Sequence, residues 1–579
     1  MARKMKKIIR ILMIIVLLLL GAGVFVFDLF QHSGINQQAA TGPPFEEPNV
    51  ATSAQIPIAD NVSLYSNDEN GKVIDVYVTV LQPDHPKYST FNDIWAYKYS
   101  YYEVLKIPAA KAVFQLGDEN GPELGMLNVT SQAANAILEP RGHSTSRSYY
   151  KSFKITLSDK IALWGGQKVL NLNFHPLDKS RVRNKLSYDF YEMIPDITSL
   201  RTQFVRLHIK DNSNDTKGEF VDYGLFTHVE QVNKRYLKSH GLDGDGQLYK
   251  ANMFEFHRYA DIIKLKTDSG YNADSFNEVL EIRGNEDHSK LIDMLTDLND
   301  YSNDVDKVIE EHFNRENYLT WLASNIIIGN NDTVSQNFFL YSPQAINNWY
   351  FIPWDCDGAW GWAYEESQKS GAQVYPEWQN GIQCLWGSKL NNRFLRKTEN
   401  VEQLDKKIKE LMKLYTEDYI NQLLAEYYHE VLKYQSTPED LMKLSSAPDI
   451  FAASYNLLPT IPKMNYEYYE ESKQRPMPFF QYPVEMKDGE AYFSWGSSFD
   501  LQNDQLRYSL EVSSTPDMKN IVFSKQDLNT TEASGKLQRG TYYMKVTVTD
   551  SEGNSMYAFD VFNDLDGMLY FGVMEVQVE

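Results

Sequence analysis

Cysteine is nearly absent from this sequence, with two residues in 579, Cys356 and Cys384. So few leave the redox compartment undecided and allow one disulfide at most; two buried free thiols are the preferred reading. Basic residues are scarce against acidic ones, 56 Lys and Arg to 78 Asp and Glu, for a net charge of -22. Arg3, Lys4, Lys6, Lys7 and Arg10 all fall in the first ten residues, so the remainder is more acidic still, and a nucleic-acid partner is excluded. Long apolar runs are missing apart from one, Ile11 to Phe27, which carries no charge. It is near the lower limit for a membrane-spanning helix and long for a signal-peptide core. Gly21-Ala22-Gly23 offers small residues to a peptidase, but Val24-Phe25-Val26-Phe27 continues the run, so an uncleaved transmembrane helix is favoured over a cleaved signal. The positive-inside rule then expects a single-pass protein of the cell membrane with its bulk outside the cytoplasm.

What is present is material for several cores. The chain is 42% hydrophobic and 13% aromatic, with 38 Tyr, and is too long for one ordinary domain. The expected organisation is a membrane anchor over 1–30, a flexible tether over 31–57, a main domain over 58–460, a Pro-punctuated linker over 461–490 and a second domain over 491–579.

The most informative stretch runs from Asn330 to Gly358, NNDTVSQNFFLYSPQAINNWYFIPWDCDG. Asp332 follows the apolar Ile326-Ile327-Ile328 and a Gly329-Asn330-Asn331 breaker, so a helix is predicted to stop and present it on a loop. Asn337 follows five residues later, the spacing found in a protein kinase catalytic loop between the Asp that orients the substrate hydroxyl and the Asn that holds Mg²⁺. On spacing alone, an ordinary turn Asp has about even odds. FFLY and WYFIPWD read as two strands joined by a turn. Residues two apart in a strand share a face, so Asp355 and Asp357 are expected to point the same way and to need a cation between them. Mg²⁺ fits, with Mn²⁺ as its substitute.

Upstream the chain reads as strands. In Lys151 to Leu157, the residues Lys151, Phe153, Ile155 and Leu157 alternate with Ser152, Lys154 and Thr156, and the preceding Gly142-His143-Ser144-Thr145 offers backbone amides to phosphates. A solvated strand lysine is the common alternative. Ser180 to Ile194 is predicted as an amphipathic helix with a charged outer face, from which Asp189 or Glu192 is a candidate partner for the lysine. Glu230, at a strand-to-helix junction, either faces a nucleotide or caps the helix. Trp349 is the candidate adenine platform, with a packed interlobe tryptophan as the alternative. Strands with a phosphate-facing lysine come first and helices with the acids second, a two-lobed layout with the site between lobes.

Seven blocks, RGHSTSRSYYKSFKI, SRVRNKLSYDF, TQFVRLHIKD, DYGLFTHVEQVNKRYL, GQLYKANMFEF, GNNDTVSQNFFLYSP and WYFIPWDCDGAW, resemble in this order the CotH spore-coat kinase family. The resemblance covers roughly Val62 to Pro459 and implies an atypical protein-kinase-like fold. It also implies ATP as cofactor, Asp332 as the catalytic acid, Asn337 and Asp355 as metal ligands, and Lys151 or Lys154 as the phosphate-binding position.

Beyond Met477, the segments AYFSWGSSF, LRYSLEVSS, IVFSKQD, TYYMKVTVTD and MYAFDVF are short strands between Gly, Asn and Asp turns, and they resemble a fibronectin type III module. The expected class is therefore α+β, a two-lobed kinase-like domain followed by an all-β sandwich behind a transmembrane helix. The expected function is an ATP- and Mg²⁺-dependent kinase acting on Ser or Thr of secreted, cell-envelope or coat proteins. Transfer of AMP instead of phosphate, and a non-catalytic envelope scaffold, are the competing readings.

Overall fold

A computed structural model of the chain describes residues 55–68, 71–100, 105–214, 218–370, 375–435, 448–487 and 489–578. The apolar segment Ile11 to Phe27 lies outside them. Among the described residues no helix is long and apolar enough to cross a membrane, so the expected transmembrane helix and single-pass membrane location find no support there and are not carried further. The end of the expected tether is docked: Gln55 Nε2 donates to Glu310 O at 3.0 Å, and Ile56 O accepts from Tyr350 Oη at 2.6 Å.

The chain is mixed α/β. Eight strands form the first sheet: β1 (Val73–Leu81), β2 (Ala110–Asp118), β3 (Gly121–Pro122), β4 (Ala136–Arg141), β5 (Ser152–Leu157), β6 (Val169–Asn173), β7 (Thr202–Asn212) and β8 (Phe220–Glu230). Their order is β1-β7-β8-β6-β5-β4-β2-β3, and β1 pairs a second time with β2. Seven strands thus close into a ring, which leaves no free edge among them. Strand alternation fills its interior. Val76, Val78 and Val80 of β1, Phe153, Ile155 and Leu157 of β5, and Val205, Leu207 and Ile209 of β7 belong to one buried cluster.

A second, antiparallel sheet has the order β10-β9-β11-β12, from β9 (Gln247–Ala251), β10 (Leu280–Ile282), β11 (Phe338–Ser342) and β12 (Tyr350–Pro353). The helix Arg315–Ile328 lies against it, with Trp321 stacked on Phe351 at 4.3 Å between centroids and Asn317 Oδ1 accepting from Phe351 N at 2.6 Å.

The C-terminal strands form a three-stranded, a five-stranded and a two-stranded sheet. Their interior residues, among them Phe493, Trp495 and Val546, share one buried cluster with the helical part of the chain. Trp378 packs on Phe559 at 4.9 Å and Trp386 stacks on Phe499 at 5.5 Å. The C-terminal sheets thus pack on the rest of the molecule through large aromatic side chains.

The helix Arg183–Tyr191 departs most from its sequence reading. All nine of its residues are buried, so there is no charged outer face. Its charges are internally paired: Arg183 with Asp178 at 2.6 Å and Lys185 with Asp189 at 3.0 Å.

Candidate active site

The loop carrying Asp332 is built by a helix stop. Helix Arg315–Ile328 ends on Gly329, whose left-handed φ of 65° lets its N–H close back on Asn325 and Ile326. A Cβ there would meet Asn465 Nδ2 at 2.7 Å, so a side chain would both strain the left-handed backbone and displace the Asn465 amide. The turn Asn331–Thr333 then presents Asp332. Asn337, itself left-handed at φ 58°, folds back so that its Nδ2 donates to Asp332 Oδ2 at 2.6 Å, and Gln336 Nε2 donates to Oδ1. The five-residue spacing is thus a closed loop that fixes the orientation of one carboxylate.

The second acidic loop begins where β12 ends at Pro353. Asp355 and Asp357 are therefore not on a strand, and their shared direction does not come from strand alternation; Asp355 adopts φ 57° just after β12. The buried helix Arg183–Tyr191 holds this loop. Tyr188 Oη accepts from Asp355 N at 3.0 Å, Asn184 Oδ1 accepts from Cys356 N at 3.1 Å, and Ser187 Oγ accepts from Trp360 Nε1 at 2.8 Å. His175 Nδ1 lies 3.1 Å from Asp357 Oδ2, and Asn184 Nδ2 lies 3.4 Å from His175 Nε2. Cys356 and Cys384 are free and buried.

Both loops line one cleft of about 470 Å³, whose facing wall is the ring sheet with Arg141, the Gly142–Thr145 loop and Lys154. Burial pushes Asp332 up to about 7, with Asp355 and Asp357 adding to the rise against the Gln336 and Asn337 hydrogen bonds. Burial likewise pushes Asp355 up to about 6, Asp357 adds to it, and Arg141 opposes it. Acids that line one cleft and are held above the ordinary carboxylate range are what a hard divalent cation relieves, and the donor set of Asp and Asn oxygens suits Mg²⁺.

The two candidate lysines separate cleanly. Lys154 lines the cleft and pairs with Glu139 at 2.7 Å across the β4–β5 ladder. Lys151 lies outside the cleft lining and is buried, with Nζ bound to Tyr97 O at 3.2 Å and to Ser146 O, and burial pulls it down to about 8. The expected partner on a helix is corrected too: Asp189 is taken by Lys185, so the acid paired with the cleft lysine is on a neighbouring strand.

Glu230 does not face the cleft either. It is buried against His240, whose Nε2 lies 3.1 Å away and whose Nδ1 lies 2.6 Å from Asp60 Oδ1, and it accepts from Arg201 N at 3.2 Å. Burial alone would lower the His240 pKa, but the two carboxylates raise it to about 9. A histidine raised in the folded state contributes stability that is full below its unfolded value near 6.5 and lost as pH climbs through about 9. Stability is therefore expected to fall by on the order of 3 kcal/mol over that window. Glu192, pushed up to about 9 by burial, titrates in the same range, so urea unfolding of wild type and His240→Gln at pH 6 and pH 9 isolates the histidine as a smaller pH slope in the variant.

Trp349 is core, not a nucleotide platform. It is 0% exposed, its ring 5.9 Å from that of Tyr249, and its backbone N–H donates to His312 O at 2.7 Å. Trp349→Ala is expected to cost about 3–5 kcal/mol of stability through the cavity it leaves. Nucleotide titration of the folded fraction should give an unchanged Kd.

Arg141, which the sequence places at the head of the Gly142–Thr145 loop, lines the cleft, whereas His175 and Lys250, also on its lining, and Asn184 behind it escaped sequence reading. Arg141 stacks over Trp354 at 5.4 Å, and Lys250 sits on β9 opposite both Glu281 and Phe339. The loop after Arg141 is tight, since Gly142 has φ 91° and a Cβ there would meet Thr145 Oγ1 at 2.1 Å. His175, Asn184 and Lys250 carry no local signal.

A protein-family model described as CotH kinase protein matches residues 138–458, more than half of the chain. Among curated proteins, the chain is 25% identical over 250 residues to the inner spore coat protein H of Bacillus subtilis (strain 168). That match covers 42% of this chain and 64% of the relative, so the chain spans less than two thirds of its length.

Proposed function

This chain belongs to the CotH kinase protein family, and we propose that it transfers a phosphoryl group from ATP, with Mg²⁺ or Mn²⁺, to Ser or Thr hydroxyls of coat-type proteins. One observation carries the reading: two acidic loops, bearing Asp332 and Asp355, face Lys154 and Arg141 across one cleft. When bound, the metal–nucleotide would supply the transferable phosphoryl group and neutralise charge on it. Asp355, Asp357 and Asn337 would hold the cation through oxygen. Lys154, kept in place by Glu139, and Arg141 would take phosphate oxygens. Asp332, oriented by Gln336 and Asn337, would align the acceptor hydroxyl and receive its proton. The coat-type substrate is suggested by the name of the Bacillus relative.

Incubating the full chain with γ-labelled and α-labelled ATP in parallel tests the reading. Label on protein from γ alone is the expected result. Label from α assigns nucleotidyl transfer, and label from neither returns the chain to a scaffold role. Asp355→Asn is expected to lower the rate more than Asp357→Asn, since one Asp357 oxygen is already engaged by His175. Mg²⁺ titrations of both variants check that order, and a tighter dependence on Asp357 would reverse the two roles.

A further inference from the structure

Away from the cleft, a second group of acids converges at one end of the C-terminal five-stranded sheet. The strands Arg507–Ser513 and Gly540–Thr549 pair antiparallel with Arg507 opposite Thr549. The residues just before Arg507 and just after Thr549 are therefore neighbours, and both stretches are acidic turns: Asp500 to Asp504, and Asp550 to Asn554. One carboxylate oxygen each from Asp500, Asp504 and Asp550 falls within 4.8 Å of the other two. Ser551 Oγ donates to Asp504 Oδ1 at 3.0 Å and ties the turns together.

Asp500 is the telling residue. It is 4% exposed, and its Oδ1 accepts from Gln502 N at 2.9 Å and from Asp504 N at 3.0 Å. Its Oδ2 is buried with no hydrogen-bond partner. Asp550, also buried, has Oδ1 filled by Glu552 N and Asn554 N and Oδ2 by Asn554 Nδ2 at 2.9 Å. None of the three acids is in an ion pair among the described residues. A buried carboxylate oxygen without a donor is costly, and two further carboxylates beside it add repulsion, unless a cation sits among them.

We propose that Asp500, Asp504 and Asp550 form a Ca²⁺ site that fastens these two turns. All donors are oxygens and none is His or Cys, which selects a hard cation over zinc. Oxygens on opposite sides of a Ca²⁺ lie up to about 5 Å apart, so the ion fits without moving either turn, whereas Mg²⁺ needs a smaller, stiffer octahedron. The site adjoins the seam with the rest of the molecule. Phe499, the residue before Asp500, stacks on Trp386, and Arg396 lies over its ring at 4.8 Å. Occupancy would thus stiffen the turn that leads the C-terminal sheets into the common core.

The test uses the full chain carrying Asp332→Asn, Asp355→Asn and Asp357→Asn, so that the cleft acids do not contribute, with CaCl₂ alone as the probe. Calorimetric titration is expected to show one equivalent bound, with Kd on the order of 10⁻⁴ M, the range of extracellular Ca²⁺ modules. Ca²⁺ should also raise the melting temperature reversibly with EGTA. Adding Asp500→Asn is expected to weaken binding at least tenfold, and since that buried change risks misfolding, Asp504→Asn, at a half-buried position, is measured beside it with circular dichroism as the fold control. No Ca²⁺ uptake at millimolar concentration, an equal response to Mg²⁺, or binding undiminished in a folded Asp504→Asn chain would each overturn the assignment.

Discussion

Asp332→Asn is expected to lower the rate of phosphoryl transfer by about a thousandfold while leaving the protein folded and at least as stable as the wild type. The substitution keeps the shape of the side chain; its one oxygen accepts from one of Gln336 and Asn337, and its NH2 meets the other once that residue's side-chain amide turns over to present its oxygen, so the loop geometry survives. What it removes is the negative charge that would align the acceptor hydroxyl and take its proton. It also removes the repulsion that Asp355 and Asp357 exert on Asp332, which is why no loss of stability is expected. The measurement is initial rate with γ-labelled ATP beside a thermal melt of the same preparation. A variant that retains a tenth of wild-type turnover would sink the catalytic assignment. A variant that loses turnover and melting temperature together would show that the residue is structural.

The parts of this site that are short-range were readable from the sequence, and the parts that depend on distant pairing were not. Asp332 and Asn337 belong to one loop, so a spacing of five residues already contains their contact. The choice between Lys151 and Lys154 was also present in the strand alternation. Lys151 shares its parity with Phe153, Ile155 and Leu157, which fill the ring, while Lys154 shares it with Ser152, and both of these line the cleft. By contrast, the ring closes only because β1 finds partners in both β2 and β7, and the second of these lies more than a hundred residues away. The same holds for Glu139 beside Lys154, which needs the β4–β5 register, and for His175 beside Asp357, 182 residues apart. The charged helix Arg183–Tyr191 misleads for a different reason. Composition says exposed, but each charge has a buried partner supplied by the fold.

That helix is where a large loss of stability is expected to reach the cleft as well. Arg183 is 0% exposed, and its guanidinium bonds Asp178 at 2.6 Å, Glu365, Trp360 O at 3.3 Å and Ser454 Oγ at 3.3 Å. Burial by itself would lower its pKa, but Asp178 and Glu365 more than offset this and hold it above the ordinary value. Removing the arginine strands its partners: Asp178 is 1% exposed and cut off from water, and Glu365, at 12%, is only partly solvated. Arg183→Met is therefore expected to cost about 3–5 kcal/mol in urea unfolding, more than deletion of a surface ion pair by a wide margin. Lysine should recover only part of this, since a single ammonium cannot serve two carboxylates and two neutral acceptors in the fixed geometry of the fork. The damage should also reach the cleft, because Asn184, Ser187 and Tyr188 on the same helix hold the backbone and Trp360 of the Asp355 loop. Pairing Arg183→Met with Asp178→Asn and Glu365→Gln separates the causes. If the stranded charges are responsible, the triple variant regains stability relative to Arg183→Met alone, and a triple variant that is weaker still would instead assign the loss to packing of the arginine stem.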